Sequence, residues 1–475
     1  MNAVKRFWPA ARHIYLWGCG AGCVVGSLAR RASRAHSLKH GGLLAAVAAI
    51  ATVLCGPALY AQLAPPNITV TPKPVGSGAR ALGESAFIAV ADDATAASWN
   101  PAGLVQLERP EASFVGAWTF DVDHFGSSSR DIRLGRTEWD QPEVNFMSFA
   151  LPFTVAGKDV VASVNYHQVY DFGLNLKFNQ AVRGPGTLLP LRLGVKSEGA
   201  VAATSLAAGI SLTPSLMLGA ALNFYGNRLG GTDAWQVKTR ASGHGLLGGL
   251  PATVGFANTE TFDNFHAVNA TVGLLWDAWA KNDQSLTFGG VVHTPFTADV
   301  DRRTDTTTVL NGAVNRLKTD ENMKINFPLS VGGGVNYRMS DAWSIASDVQ
   351  WTDWSEFEQR DSSGRRSSPI GGGPPGHIAD TVAVRLGTEY LIFLKNSVLA
   401  LRGGVFREER PALGNAMGVY GYSLGAGWST KRYSVDFAYQ FRWGDDASGR
   451  NLGLDRATRY RIEEHMLVAS LIVYF

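Results

Sequence analysis

From Glu111 to the C-terminus the chain is a succession of segments, ten or so residues long, whose side chains alternate in a period of two. Tyr433 to Trp443 is the cleanest. Tyr433, Val435, Phe437, Tyr439, Phe441 and Trp443 fall on one side, and Ser434, Asp436, Ala438, Gln440 and Arg442 on the other. Asp341 to Thr352 sets Trp343, Ile345, Val349 and Trp351 against Ser344, Ala346, Asp348 and Gln350. Thr381 to Tyr390 sets Val382, Val384, Leu386 and Tyr390 against Ala383, Arg385, Gly387 and Glu389. A period of two is that of a strand with two unlike faces. In a soluble sandwich the apolar face would line a core. In a membrane barrel it would meet lipid, with the polar face in the lumen. Aromatic residues at both ends of the apolar faces favour the barrel, because such residues sit at the two membrane interfaces.

The connections separate the two folds. Strands are read at 112–121, 143–153, 159–170, 197–212, 216–228, 263–278, 285–298, 324–338, 342–353, 380–393, 397–407, 416–428, 432–443 and 462–475. Turns after the even strands are short (TVAGK, TPS, AWAKND, MSD, LKN, STK). Loops after the odd strands are mostly long, including 171–196, 229–262, 299–323, 354–379 and 444–461. Short turns on one side and long loops on the other are the pattern of an outer-membrane barrel, and a sandwich has no reason to sort its loops so. The expected fold is all-β, a 14-stranded antiparallel transmembrane barrel closing on a strand that ends at Phe475.

Fourteen strands enclose more space than eight, whose interior side chains alone fill, and less than the open channels of 16–18 strands. Residues 62–110, rich in small side chains, are suited to occupy that lumen as a hatch. Ahead of them, residues 1–61 carry seven Lys and Arg and no Asp or Glu. The apolar run from Gly41 to Gly56 and the small residues before Ala61 read as an export leader with a long basic front, cut after Ala61. Cys19, Cys23 and Cys55 all lie in it, so the mature chain would hold no thiol nucleophile, disulfide or zinc–thiolate site. The leader also holds the excess basicity: 36 Lys and Arg would remain against 40 Asp and Glu, and no nucleic-acid partner is implied. The expected division is 1–61 leader, 62–110 hatch and 111–475 barrel.

The stretch GESAFIAVADDATAASWNPAGLVQLERP, with its Asn100-Pro101-Ala102 ending, resembles the N-terminal hatch of the FadL/TodX family of outer-membrane transporters. The hairpin PLSVGGGVNYRMSDAWSIASDVQWTDWSEFEQ, from Pro328 to Gln359, resembles the paired strands of that family and their Trp-Ser-x-Phe ending. The resemblance implies capture of a hydrophobic compound by apolar outer loops and passage into a pocket above the hatch. Hatch rearrangement then allows sideways exit through a gap made by an inward kink of the third strand. Long-chain fatty acids are the expected cargo, with neutral aromatic or alkane hydrocarbons as the alternative. The remaining expected partner is outer-membrane lipid, around a monomer.

The same resemblance gives Asn100, Pro101 and Ala102 contact with the kinked strand, and makes Arg228 the candidate for a ligand carboxylate. His167 stands where that strand would carry a kink-permitting glycine, the nearest being Gly173. Leu246, Leu247, Leu250 and Phe256 are candidates for the outer docking surface. Asn100, preceding proline, should be extended or in a turn. Rival functions have less behind them. An embedded hydrolase needs a nucleophile beside His, and Asp121, Asp123 and His124 include none. No metalloenzyme spacing of His and Glu occurs, and neither metal nor cofactor is expected. Gly332-Gly333-Gly334 lies within a strand and reads as a bend or close approach. A general diffusion porin would lack the hatch.

Overall fold

The computed structural model describes residues 71–73, 76–127, 132–231, 233–370, 374–448 and 458–475. The expected leader and the first residues of the expected hatch, 62–70, lie outside them. Among the described residues fourteen antiparallel strands close into a barrel. They are β1 (Glu111–Ser127), β2 (Arg136–Val155), β3 (Lys158–Asp171), β4 (Thr187–Thr213), β5 (Leu216–Asn227), β6 (Leu250–Lys281) and β7 (Gln284–His293). The circuit continues through β8 (Ser330–Ser340), β9 (Trp343–Thr352), β10 (Thr381–Phe393), β11 (Val398–Arg410), β12 (Met417–Ser429), β13 (Tyr433–Ser448) and β14 (Thr458–Tyr474). It shuts where β14 pairs with β1, from Glu111↔Tyr474 to Ser127↔Thr458. No helix among the described residues is long and apolar enough to cross a membrane; the strands do so.

Sidedness follows the alternation. On β13, Phe437 is 61% exposed while its neighbour Asp436 is 3% exposed. Exposed aromatics collect at the two ends of the wall, with Trp428 edge-on to Tyr433 at the short-turn end and Tyr420 against Trp443 at the other. The turn after β2 carries Ala156 and Gly157 at positive φ, the requirement of a tight two-residue hairpin.

Three of the long connections are not loops. Leu174–Gly184 pairs with the first half of β4, Trp235–Leu247 with the first half of β6, and Phe296–Leu310 with Ala313–Phe327. These hairpins join side by side into a second sheet above the barrel. Sequences such as DVDRRTDTTTVL have no continuous apolar face, and so read as loop. Cross-strand ion pairs supply the missing support: Arg302 to Glu260 and Glu321, and Arg303 to Asp263. The inner face of the hairpin sheet packs a core of its own. Trp235 stacks between Phe172 and Phe262 at centroid distances of 4.4 and 4.2 Å. Burying each such side chain is worth about 1.5–3 kcal/mol, enough to hold the hairpins upright. Residues 354–379 hold a 3-10 helix, Trp354–Glu356, and two short strands.

Candidate functional site

The hatch is built from small residues because it must pass close to wall backbone on several sides. It runs through α1 (Ala79–Glu84), α2 (Ala96–Trp99) and a 3-10 helix, Pro101–Gln106, and is buried inside the barrel almost throughout. Asn100 is extended, one of the two conformations its place before proline favours. Its side chain holds three points at once. Nδ2 donates to Ile88 O within the hatch (2.7 Å) and to Leu274 O of β6 (3.2 Å), and Oδ1 accepts from Ala102 N (3.2 Å).

The motif's tightest approaches are to the fifth and sixth strands. A Cβ on Gly219 of β5 would lie 2.1 Å from the Pro101 carbonyl carbon, and one on Gly273 of β6 would lie 2.0 Å from Asn100 Oδ1. Asn100, Pro101 and Ala102 therefore rest chiefly on β4 to β6, and the turn they begin touches the third strand less. The reason is steric: β3 lacks glycine, whereas β5 and β6 offer side-chain-free positions at the right height. Gly332 and Gly334 are close approaches as read, to Ile88 of the hatch, and Gly334 lies opposite the anchoring Asp348. Asp348 Oδ2 accepts from Phe87 N (2.6 Å) and Ile88 N (2.9 Å). On α1, Arg80 bridges Asp92 (2.5 Å) and Glu389 (3.2 Å). Glu84 is fully buried, with neither carboxyl oxygen bonded among the described residues. Burial, and then Glu389 nearby, push its pKa up to about 8.

The third strand does bend, without the glycine. Its pairing with β2 stops at Phe146↔His167, and its register with β4 slips between Gln168 and Tyr170. This bulge turns the outer end of β3 inward. There it pairs with Thr71 and Pro72, and Val169 O accepts from Lys73 N (3.1 Å). A gap is left in the wall between β2 and β3. Gln168, 5% exposed, spans it by donating to Val144 O (3.2 Å). Lys73 sits beside the gap, ion-paired to Glu143 and to Asp171 (3.3 Å). Burial alone would lower its pKa; the two carboxylates hold it above the usual lysine range.

Above the hatch lies a cavity of about 150 Å³. Trp99, Tyr170, Tyr225, Phe296 and Trp354 line its apolar side, and Arg385, Glu408, Arg410 and Arg442 its polar side. Trp99 is the floor, its ring 5.7 Å from the Arg385 guanidinium and 6.2 Å from the His293 ring. The arginines are already engaged. Arg385 and Arg442 share Glu408 (2.7 and 2.6 Å), and Arg442 and Arg410 share Glu464 (2.9 and 2.6 Å). Alternation placed Arg385 and Arg442 inward, but their partners sit on other strands. Trp99 gave no sequence signal beyond its place beside Asn100.

Arg228 lies at the outer end of β5, outside that cavity lining. Leu246 and Leu250 are 45% and 49% exposed at a hairpin tip, beside Leu188, whereas Leu247 is 3% exposed. Phe256 is half-buried and packs against the core of the hairpin sheet.

A closed fourteen-strand wall, an internal plug and a part-apolar chamber between plug and exterior define a plugged outer-membrane channel. Residues 199–470 match the model of the outer membrane protein transport family (OMPP1/FadL/TodX), and the chain belongs to that family of hydrophobic-compound transporters. Its function is therefore transport, not catalysis. The fold is similar to that of a Pseudomonas aeruginosa FadL homologue (12% identity, 86% of this chain and 100% of that one, TM-score 0.56). It is also similar to the Pseudomonas putida toluene transporter TodX (14% identity, 85% and 99%, TM-score 0.53) and the CymD monoaromatic hydrocarbon channel (16% identity, 85% and 98%, TM-score 0.51). No curated protein sequence matches the chain.

Proposed function

We propose that the chain carries small neutral hydrophobic compounds, about one aromatic ring in size, across the outer membrane. One observation carries this reading: a cavity of about 150 Å³ whose arginines are each already paired with a carboxylate. A cavity near that size holds one benzene-like molecule, whereas a sixteen-carbon chain needs several-fold more. The solute is captured by Leu188, Leu246 and Leu250 at the hairpin tips. It rests on Trp99 while Asn100, Pro101 and Ala102 hold the hatch to the wall. It leaves through the gap between β2 and β3, once Gln168 gives way, directly into lipid. Lateral release spares the rehydration of each CH₂, about 0.8 kcal/mol. Residues 1–61 serve as the export leader, and the hatch comprises 62–110.

Long-chain fatty acids are the second reading. Nε of Arg410 and of Arg442 has no partner among the described residues, and a carboxylate entering the chamber would find those donors. Arg228 would then act as an outer steering charge. Uptake of labelled toluene and labelled palmitate by cells with and without the gene decides between the two. Toluene uptake should depend on the gene. Dependence for palmitate alone would favour the second reading, and dependence for neither would overturn transport of both.

A further inference from the structure

The hairpin sheet carries a second feature that the transport path does not use. Its exposed face holds Lys177, Arg192, Lys196, Lys238 and Arg240 around an open groove of about 1060 Å³. Gly194, Gly255 and Ala257 also line it. Lys196 is paired with Glu198. The other four have no hydrogen bond or ion pair among the described residues. Elsewhere on the same sheet Arg302, Arg303, Lys318 and Lys324 each face a carboxylate, and Arg316 alone of that hairpin's cations has no ion pair among the described residues. Lys196 and Lys238 even stand directly across from one another, an arrangement of like charges that weakens a strand pair. A face that concentrates unpaired cations against its own stability is complementary to a polyanion.

The strands fix where this face looks. Along β4 the exposed positions keep one parity, from Leu206 and Thr204 in the lipid-facing wall to Lys196 and Arg192 above it. On β6 the register shifts by one residue between Asp263 and His266. Exposed positions change from odd before the shift to even after it, so the same face stays outward. The groove therefore continues the membrane-facing surface beyond the lipid band. Phe224 and Val268 mark the top of that band, level with Thr204. Lys196 is eight residues further along β4. At about 3.3 Å per residue and a tilt near 40°, it stands up to roughly 20 Å above the band. Short turns lie on the periplasmic side of such barrels, so the hairpins face the exterior.

We propose that this groove binds the acidic, phosphate-bearing oligosaccharide of the outer-leaflet glycolipid. Height selects the sugar over the lipid's own diglucosamine phosphates, which lie at the band's edge. The groove anchors the hairpin sheet to the layer it stands in. The test uses purified full-length protein in detergent, titrated calorimetrically with core-bearing lipopolysaccharide, with lipid A and with palmitate. Two variants, Lys196→Ser with Lys238→Ser and Arg192→Ser with Arg240→Ser, change exposed or half-buried side chains on the outer face only. Retained heat-modifiable migration on gels confirms the barrel in each. Core-bearing lipopolysaccharide should bind the wild type, more weakly with added salt, and each double variant should lose about 30-fold, at roughly tenfold or less per cation. Equal affinity for lipid A alone, or unchanged binding by both variants, overturns the proposal. Palmitate binding that falls with the same substitutions also overturns it, by making the groove a carboxylate-capture site.

Discussion

Replacing Asp348 with alanine should unseat the hatch. Its Oδ2 accepts two backbone hydrogen bonds, from Phe87 N at 2.6 Å and Ile88 N at 2.9 Å, both buried. Hydrogen bonds to a charged acceptor are worth about 1.5–3 kcal/mol each, and truncation leaves two buried donors without partners. Against this stands the desolvation of the carboxylate, whose Oδ1 has no partner among the described residues, and alanine removes that cost. A net loss of about 3 kcal/mol is expected, which raises the displaced population of the hatch on the order of 100-fold. Single-channel recording in planar bilayers reads this as the frequency of opening events. Asp348→Asn keeps one acceptor oxygen and should raise it about tenfold or less. Folding of each barrel is checked by heat-modifiable migration. A folded Asp348→Ala barrel with wild-type opening frequency would refute the assignment of Asp348 as the anchor.

Gly219→Val should also raise conductance, because its Cβ would lie 2.1 Å from the Pro101 backbone; added to Asp348→Ala, its effect should be less than additive, since both act on one docked segment. Glu84 is neutral in the seated hatch below about pH 8 and has an ordinary value of 4.5 when released. Between those values the released state sheds a proton that the seated state keeps, so seating weakens as pH rises from 4.5 to 8 and changes little beyond. Opening frequency should climb across that window in the wild type and stay flatter in Glu84→Gln; parallel curves would count against it. Trp99→Ala enlarges the chamber floor and should raise naphthalene uptake relative to toluene, measured in cells. An unchanged ratio would show that Trp99 does not set the size limit.

Much of the molecule is legible in the chain itself. Alternation along Tyr433 to Trp443 determined which side chains face lipid, because a strand offers its residues only two directions. The sorting of connections determined closure and sidedness, and Asn100-Pro101 excluded a helical entry into the hatch's last turn. The tertiary structure decided what depends on residues far apart in sequence. The motif was expected against the third strand, yet it rests chiefly on β4 to β6, because there Gly209, Gly219 and Gly273 leave room. The kink of β3 needed no glycine, because a bulge beside Val169 and pairing with Thr71 and Pro72 supply the bend. Polar connections became hairpins once charges on separate strands could pair. Arg385 and Arg442 could be placed inward from sequence, but only the closed wall sets them on the carboxylates of Glu408 and Glu464. Direction is a local property of a strand, whereas partnership depends on how the strands close.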